Sequence, residues 1–129
     1  MEKQKIQLEY AMGGIPAGLL WSYISSASGL KEWFADEVFI NGKEYTFIWS
    51  GQSQTATVLS TRSGQSIRFR WSDGEAKTYF EMRLSYNELT EITTLTVVDF
   101  VEVDELEDSR ELWDTQINLL RRKLGCRVA

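Results

Sequence analysis

Apolar and polar positions alternate strictly from Lys5 to Met12, with Ile6, Leu8, Tyr10 and Met12 on one face and Lys5, Gln7, Glu9 and Ala11 on the other. A period of two predicts a half-buried strand. Gly13-Gly14 breaks the pattern, and Pro16 suits the first turn of a helix, where a missing amide hydrogen is harmless. Leu19, Leu20, Tyr23 and Ile24 then recur at helical spacing, with Trp21 alongside, up to the small-residue run Ser25-Ser26-Ala27-Ser28-Gly29. A second short helix is predicted over Leu30–Phe34.

From Asp36 onward the period returns to two, punctuated by Asn41-Gly42, Ser50-Gly51, Ser63-Gly64, Asp73-Gly74 and Asn87-Glu88. Turn signals at this density predict an antiparallel meander of six strands between Glu37 and Phe100. Asn41-Gly42 is the strongest of them, because a two-residue type I′ turn needs positive φ at both positions. Tyr45, Phe47 and Trp49 share one face of their strand, as do Ile67, Phe69 and Trp71 on another and Phe80, Met82 and Leu84 on a third. The opposite positions hold Thr46, Arg68, Arg70, Glu81 and Arg83, so one side of the sheet reads as wet and the other as rich in large rings.

Past Phe100 the spacing becomes helical again. Leu106, Trp113, Ile117, Leu120 and Leu124 form one stripe, and Asp104 with Glu107 makes a carboxylate version of a capping box. Arg121-Arg122-Lys123 fill the last turn and Gly125 follows as its terminator, which complements the helix dipole. A continuous helix over 105–124 is predicted, about 30 Å long at 1.5 Å per residue and so able to cross a small sheet. A sheet with one apolar face must be covered, and this helix is the element large enough to do it.

Composition narrows the chemistry. The chain has 129 residues, a formal charge of −5, one cysteine and no histidine. Without histidine there is no Ser-His-Asp triad, no Cys-His pair and no mixed histidine–carboxylate metal site, and no paired-carboxylate motif stands out, so the sequence supplies no catalytic residue, cofactor site or metal site. An enzyme would have to work through shifted carboxylates, tyrosines or lysines. Cys126 reads as a free thiol near the chain end. The acidic balance opposes nucleic-acid binding. No apolar run is long enough for a membrane span and the first residues do not resemble a signal region, so a cytoplasmic location and a single domain over 1–129 are expected. The six acids between Asp99 and Asp108 lack calcium-loop spacing and read as a solvated helix N-terminus. Arg62, Arg68 and Arg70 read as an ordinary charged outer sheet face, with an anion or acidic partner as the sharper alternative.

The segments Ile15-Pro16-Ala17-Gly18-Leu19-Leu20-Trp21 and Ser28-Gly29-Leu30-Lys31-Glu32-Trp33-Phe34-Ala35-Asp36, the strand Phe47-Ile48-Trp49, and Trp113 with Leu120 carry a resemblance. With this element order, the chain resembles the START-like (SRPBCC, helix-grip) superfamily. Within it, the chain is similar to small bacterial proteins related to the C-terminal domain of the activator of the heat-shock-ninety ATPase. The resemblance implies an α+β helix-grip fold: a curved antiparallel seven-stranded sheet wrapped around a long C-terminal helix, with two short helices between the first and second strands. It also implies a cavity between sheet and helix, which in many relatives holds an apolar molecule. Trp33, Phe34, Trp49, Phe69, Trp71, Phe80, Met82, Trp113 and Ile117 are the candidate lining residues; large rings at such positions either line a cavity or fill it. Tyr10, Tyr45 and Thr94 are the candidate polar groups. Two readings follow: a binding domain enclosing a small apolar or amphipathic molecule, or a filled-core interaction domain that meets a protein partner, a chaperone or a second copy of itself.

Overall fold

The computed structural model describes residues 3–125, so Cys126 and the first two residues lie outside the described part. The chain runs β1 (Lys3–Ala11), α1 (Ala17–Ser25), α2 (Ala27–Trp33), β2 (Glu37–Asn41), β3 (Glu44–Trp49), β4 (Gln52–Arg62), β5 (Ser66–Trp71), β6 (Phe80–Asn87), β7 (Ile92–Glu102) and, after a 3-10 turn at Val103–Glu105, α3 (Leu106–Leu124). The strands form one antiparallel sheet in the order β1-β7-β6-β5-β4-β3-β2. Only the first pair is out of sequence order. The connection from β1 to β2 must therefore cross the whole sheet, and α1 and α2 are what it is made of. This is the predicted α+β helix-grip fold.

The predicted faces hold. Ile6, Leu8, Tyr10 and Met12 are buried, as are Tyr45 and Phe47, Ile67 and Phe69, and Phe80 and Met82, while Trp49, Trp71 and Leu84 are half-buried against the same core. Over them lie Leu20 and Ile24 of α1, Leu30 and Trp33 of α2, and Trp113, Ile117 and Leu120 of α3. Gly125, with φ of +69°, ends α3 and donates its amide to the carbonyls of Arg121 and Arg122. In β4 a register shift between Val58 and Ser60 leaves Leu59 as an extra, exposed residue, and such a bulge bends a strand and adds twist.

Several details depart from the sequence reading, each for a local reason. Pro16 is the N-cap of α1 and not its first turn, and Leu19 on that helix is exposed. The second helix begins at Ala27, three residues before its predicted start, because the Ser26 hydroxyl accepts the Gly29 amide at 3.0 Å and caps it. Asn41 pairs with Glu44, so the loop there is Gly42-Lys43 with positive φ at Gly42 alone; the two-residue loop with both positions positive is Ser50 (+49°) and Gly51 (+81°). The capping box is not formed: α3 is entered through the 3-10 turn, and Glu105 stands at the N-cap without a side-chain hydrogen bond. The outer face of the sheet is not uniformly wet. Glu81 is buried there between Arg68 Nε at 2.6 Å and Arg83 Nε at 3.1 Å, Arg68 lies 3.9 Å over the Tyr79 ring, and Tyr79 packs edge-on against Phe100 at 4.9 Å.

Gly29 marks the tightest approach between the two short helices. A Cβ there would penetrate the Ser22 carbonyl and the Tyr23 backbone, neither of which can rotate away. Gly29→Ala is expected to lower stability by about 3 kcal/mol, the upper end of overpacking costs, read as a fall in denaturant midpoint against wild type.

Candidate functional site

One end of the sheet's inner face is left uncovered, and there the aromatic rings border an open groove of about 430 Å³. Its walls are Trp49 of β3, Trp71 of β5 and Phe80 of β6 on the sheet side, Phe34 at the end of α2, and Leu112 and Trp113 of α3. Gln54, Gln116 and Asp99 are its polar members. The rings contact one another in series: Trp71 and Phe80 stack at 4.9 Å, Phe34 lies 6.0 Å from Trp113 and 5.4 Å from Trp49, and Phe80 lies 6.4 Å from Trp113. Strand alternation sets this up, because two-residue spacing brings the last inward ring of β3 and of β5 to the same end of the sheet.

Hydrogen bonds fix the walls. The Phe34 carbonyl, at the C-cap of α2, accepts from Trp49 Nε1 at 2.6 Å and from Gln116 Nε2 at 3.3 Å, which ties α2, β3 and α3 together at the groove. Trp113 Nε1 donates to Asp99 Oδ2 at 2.9 Å, and the Phe100 amide donates to Asp99 Oδ1 at 2.8 Å. Farther along, Tyr10 Oη donates to Asp114 at 2.7 Å and Arg121 donates twice to the Ala11 carbonyl, clasping α3 to the end of β1.

Of the nine residues expected to line a cavity, the structure brings five to the groove: Phe34, Trp49, Trp71, Phe80 and Trp113. Phe69, Met82 and Ile117 are fully buried beneath it and fill the core. Trp33 is buried under α2 with its indole N–H donated to the Tyr23 carbonyl at 2.8 Å, and it borders only a shallow surface depression that shares Phe34, Trp49 and Gln116 with the groove. The three expected polar groups are elsewhere. Tyr10 is bound to Asp114, the Tyr45 hydroxyl donates to the Ser25 carbonyl at 2.7 Å, and Thr94 pairs with Ala11 and Ser85 on the other side of the sheet.

Asp99, Gln54, Leu112 and Gln116 were not anticipated. Asp99 is the instructive one, since it belongs to the acid run read as a solvated helix N-terminus, yet it opposes Ile6 in register and so takes the inward phase of Leu95, Val97 and Val101. An acid in an apolar alternation was the available signal. Asp104, Glu105, Glu107 and Asp108 are exposed, as that reading has it. On the outer face, Arg68 is engaged by Glu81 and Arg70 Nε donates to the Thr78 carbonyl at 3.0 Å.

Burial pushes the Asp99 carboxyl above its ordinary value, against the opposing pull of its two hydrogen bonds and the charge of Lys3. A raised value means that the folded chain holds this proton at a pH where the unfolded chain has released it. Acidification through that window therefore favours the folded state through Asp99, opposite to the usual acid lability of paired carboxylates. The melting temperature of wild type relative to Asp99→Asn is expected to rise as pH falls from 7 toward the ordinary carboxylate range. A flat or falling difference would mean that Asp99 is not desolvated.

Residues 1–126 match the START-like superfamily domain. Among solved structures, the chain is 42% identical to BfR322 from Bacteroides fragilis, covering 100% of this chain and 96% of that one with a TM-score of 0.71. The Aha1 dimer from Colwellia psychrerythraea has 14% identity, 94% and 96% coverage and a TM-score of 0.79. CalU16 from Micromonospora echinospora has 19% identity, 93% and 74% coverage and a TM-score of 0.70; likeness at these lower identities speaks for the fold alone. No curated protein matches the chain. With sheet order, covering helix and family match in agreement, the chain belongs to the START-like superfamily.

Proposed function

We propose that the protein is a binding domain that holds a small apolar or amphipathic molecule in the groove between the sheet and α3. The observation that carries this reading is the groove itself: about 430 Å³, walled mostly by aromatic rings, with a few polar groups converging on it. Pockets of that size and lining are the ordinary form of a small-molecule site. The rings are also the reason the space stays open. Trp49, Trp71 and Trp113 spend their indole N–H groups or ring faces on neighbouring elements and cannot collapse inward without losing those contacts. The family match supports a ligand-holding domain in general, and the chemistry of the lining narrows the ligand to one with a flat apolar body.

A neutral apolar dye, N-phenyl-1-naphthylamine, tests the reading. Saturable binding of one molecule per chain is expected. Leu112 sits at the rim and is 60% exposed, so Leu112→Asp should leave the fold intact and weaken the dye by about tenfold through the cost of desolvating a rim charge. Trp113→Ala is expected to cost about 3 kcal/mol, the lower end for a core tryptophan because one side of the ring borders open space, and to change dye affinity while the domain remains folded. Non-saturable binding, or binding indifferent to both substitutions, would refute the proposal.

A second reading concerns self-association and has its own observation. β2 is an edge strand, and it carries Phe39 at 57% and Ile40 at 40% exposure; apolar edges of this kind invite pairing with another chain. A homodimer joined along β2 predicts that light scattering at micromolar concentration reports twice the monomer mass and that Phe39→Asp returns it to the monomer. An unchanged mass in the variant would dismiss this interface.

A further inference from the structure

We propose that the groove selects an organic cation: an ammonium-bearing molecule with a flat apolar body, its charge directed at Asp99. This rests on the reading of the groove as a ligand site and goes further by fixing the charge of the ligand.

Among the described residues lining the groove, Asp99 is the only charged side chain; the other polar members, Gln54 and Gln116, are neutral amides. Its carboxylate has one hydrogen bond on each oxygen, from Trp113 Nε1 and from the Phe100 amide. A carboxylate offers about four acceptor positions, so roughly half remain for a ligand. Among the described residues no lysine or arginine forms an ion pair with it; the ion pairs present join Lys31 to Glu37, Arg68 and Arg83 to Glu81, and Lys123 to Glu32. The charge is thus partly withdrawn from water and, beyond the more distant charge of Lys3, has no charged partner among the described residues. Burial holding its proton more firmly than usual agrees with that.

The rings around it complete the selection. Phe34, Trp49, Trp71, Phe80 and Trp113 line the groove, Phe80 being itself stacked on Phe69 and Trp71. A cation within about 6 Å of a ring face left free is attracted by its partial negative charge, most strongly by tryptophan and most strongly when water is excluded. A neutral apolar ligand would satisfy the rings and leave the carboxylate's remaining acceptor positions without a partner from the ligand. An anionic amphiphile would meet repulsion from Asp99 and from the ring faces together. An ammonium group satisfies both sets of groups at once, and its N–H donors match the free positions on the carboxylate.

Three probes of similar shape and different charge test this by calorimetry on the intact protein at pH 7.5: 1-naphthylmethylammonium, 1-naphthalenemethanol and 1-naphthoate. The ammonium is expected to bind about tenfold more tightly than the alcohol, and the carboxylate more weakly than either. Asp99→Asn keeps an acceptor for Trp113 and is expected to bring the ammonium down to the affinity of the alcohol, with the alcohol itself unchanged. Should that variant fold poorly, Gln54→Lys at the exposed rim is expected to weaken the ammonium and strengthen the carboxylate. An alcohol that binds as well as the ammonium overturns the charge selection and leaves the groove as a ligand site. A preference that survives both substitutions overturns the role of Asp99. Failure of all three probes to bind overturns the ligand site along with this inference.

Discussion

Phe34 is where the sheet, the short helices and the long helix are joined, and the open groove depends on that junction. Its carbonyl takes a hydrogen bond from Trp49 on one side and from Gln116 on the other, and its ring stands against those of Phe47, Trp49, Phe80 and Trp113. A residue at the end of a helix has a carbonyl without an intrahelical partner. Here that spare acceptor is used to hold two side chains from other layers in place. With the aromatic rim pinned this way, α3 cannot slide farther over the sheet at this end, and the space beside Phe34 stays unfilled while the rest of the inner face is closed by Leu20, Ile24, Leu30, Ile117 and Leu120.

Much of this architecture could be read from the sequence, because alternation and helical spacing report which face is buried and burial dominates the fold. The inward sets of β1, β3, β5 and β6 and the stripe of α3 are all visible as periodicity. What periodicity does not report is depth along the strand. Phe69 and Trp71 share a face, yet Phe69 is sealed in the core and Trp71 borders the groove, since their difference lies in how far α3 reaches. The same limit separates Met82 from Phe80. Trp33 is set apart from the groove for another reason: its indole N–H is satisfied locally by the Tyr23 carbonyl, a contact between two helices whose mutual angle no local pattern contains.

Asp99 shows the opposite case, a residue whose signal was present and outweighed by its neighbours. Five further acids follow it within nine positions, and a cluster of that kind ordinarily marks a solvated helix start. The strand continues through Glu102, however, so the alternation set by Leu95 and Val97 still governs position 99. A carboxylate held inward by strand register, in no ion pair among the described residues and helped only by the more distant charge of Lys3, is a poor contribution to stability. Its two hydrogen bonds reduce that cost without removing it.

Stability and recognition are thus at odds in the same few residues, and the geometry of the groove follows from how they are divided. The indole N–H groups of Trp49 and Trp113 bond inside the protein, so the rings border the groove with their N–H groups already satisfied. Because these side chains are already fixed, an incoming molecule does not have to order them, and little of its binding energy is lost to conformational entropy. Fixed walls also matter for Asp99, whose carboxylate takes its hydrogen bonds from the Trp113 indole and the Phe100 amide. On the proposed reading, the charge of the guest would then weigh most, because the shape of the aromatic lining is already set.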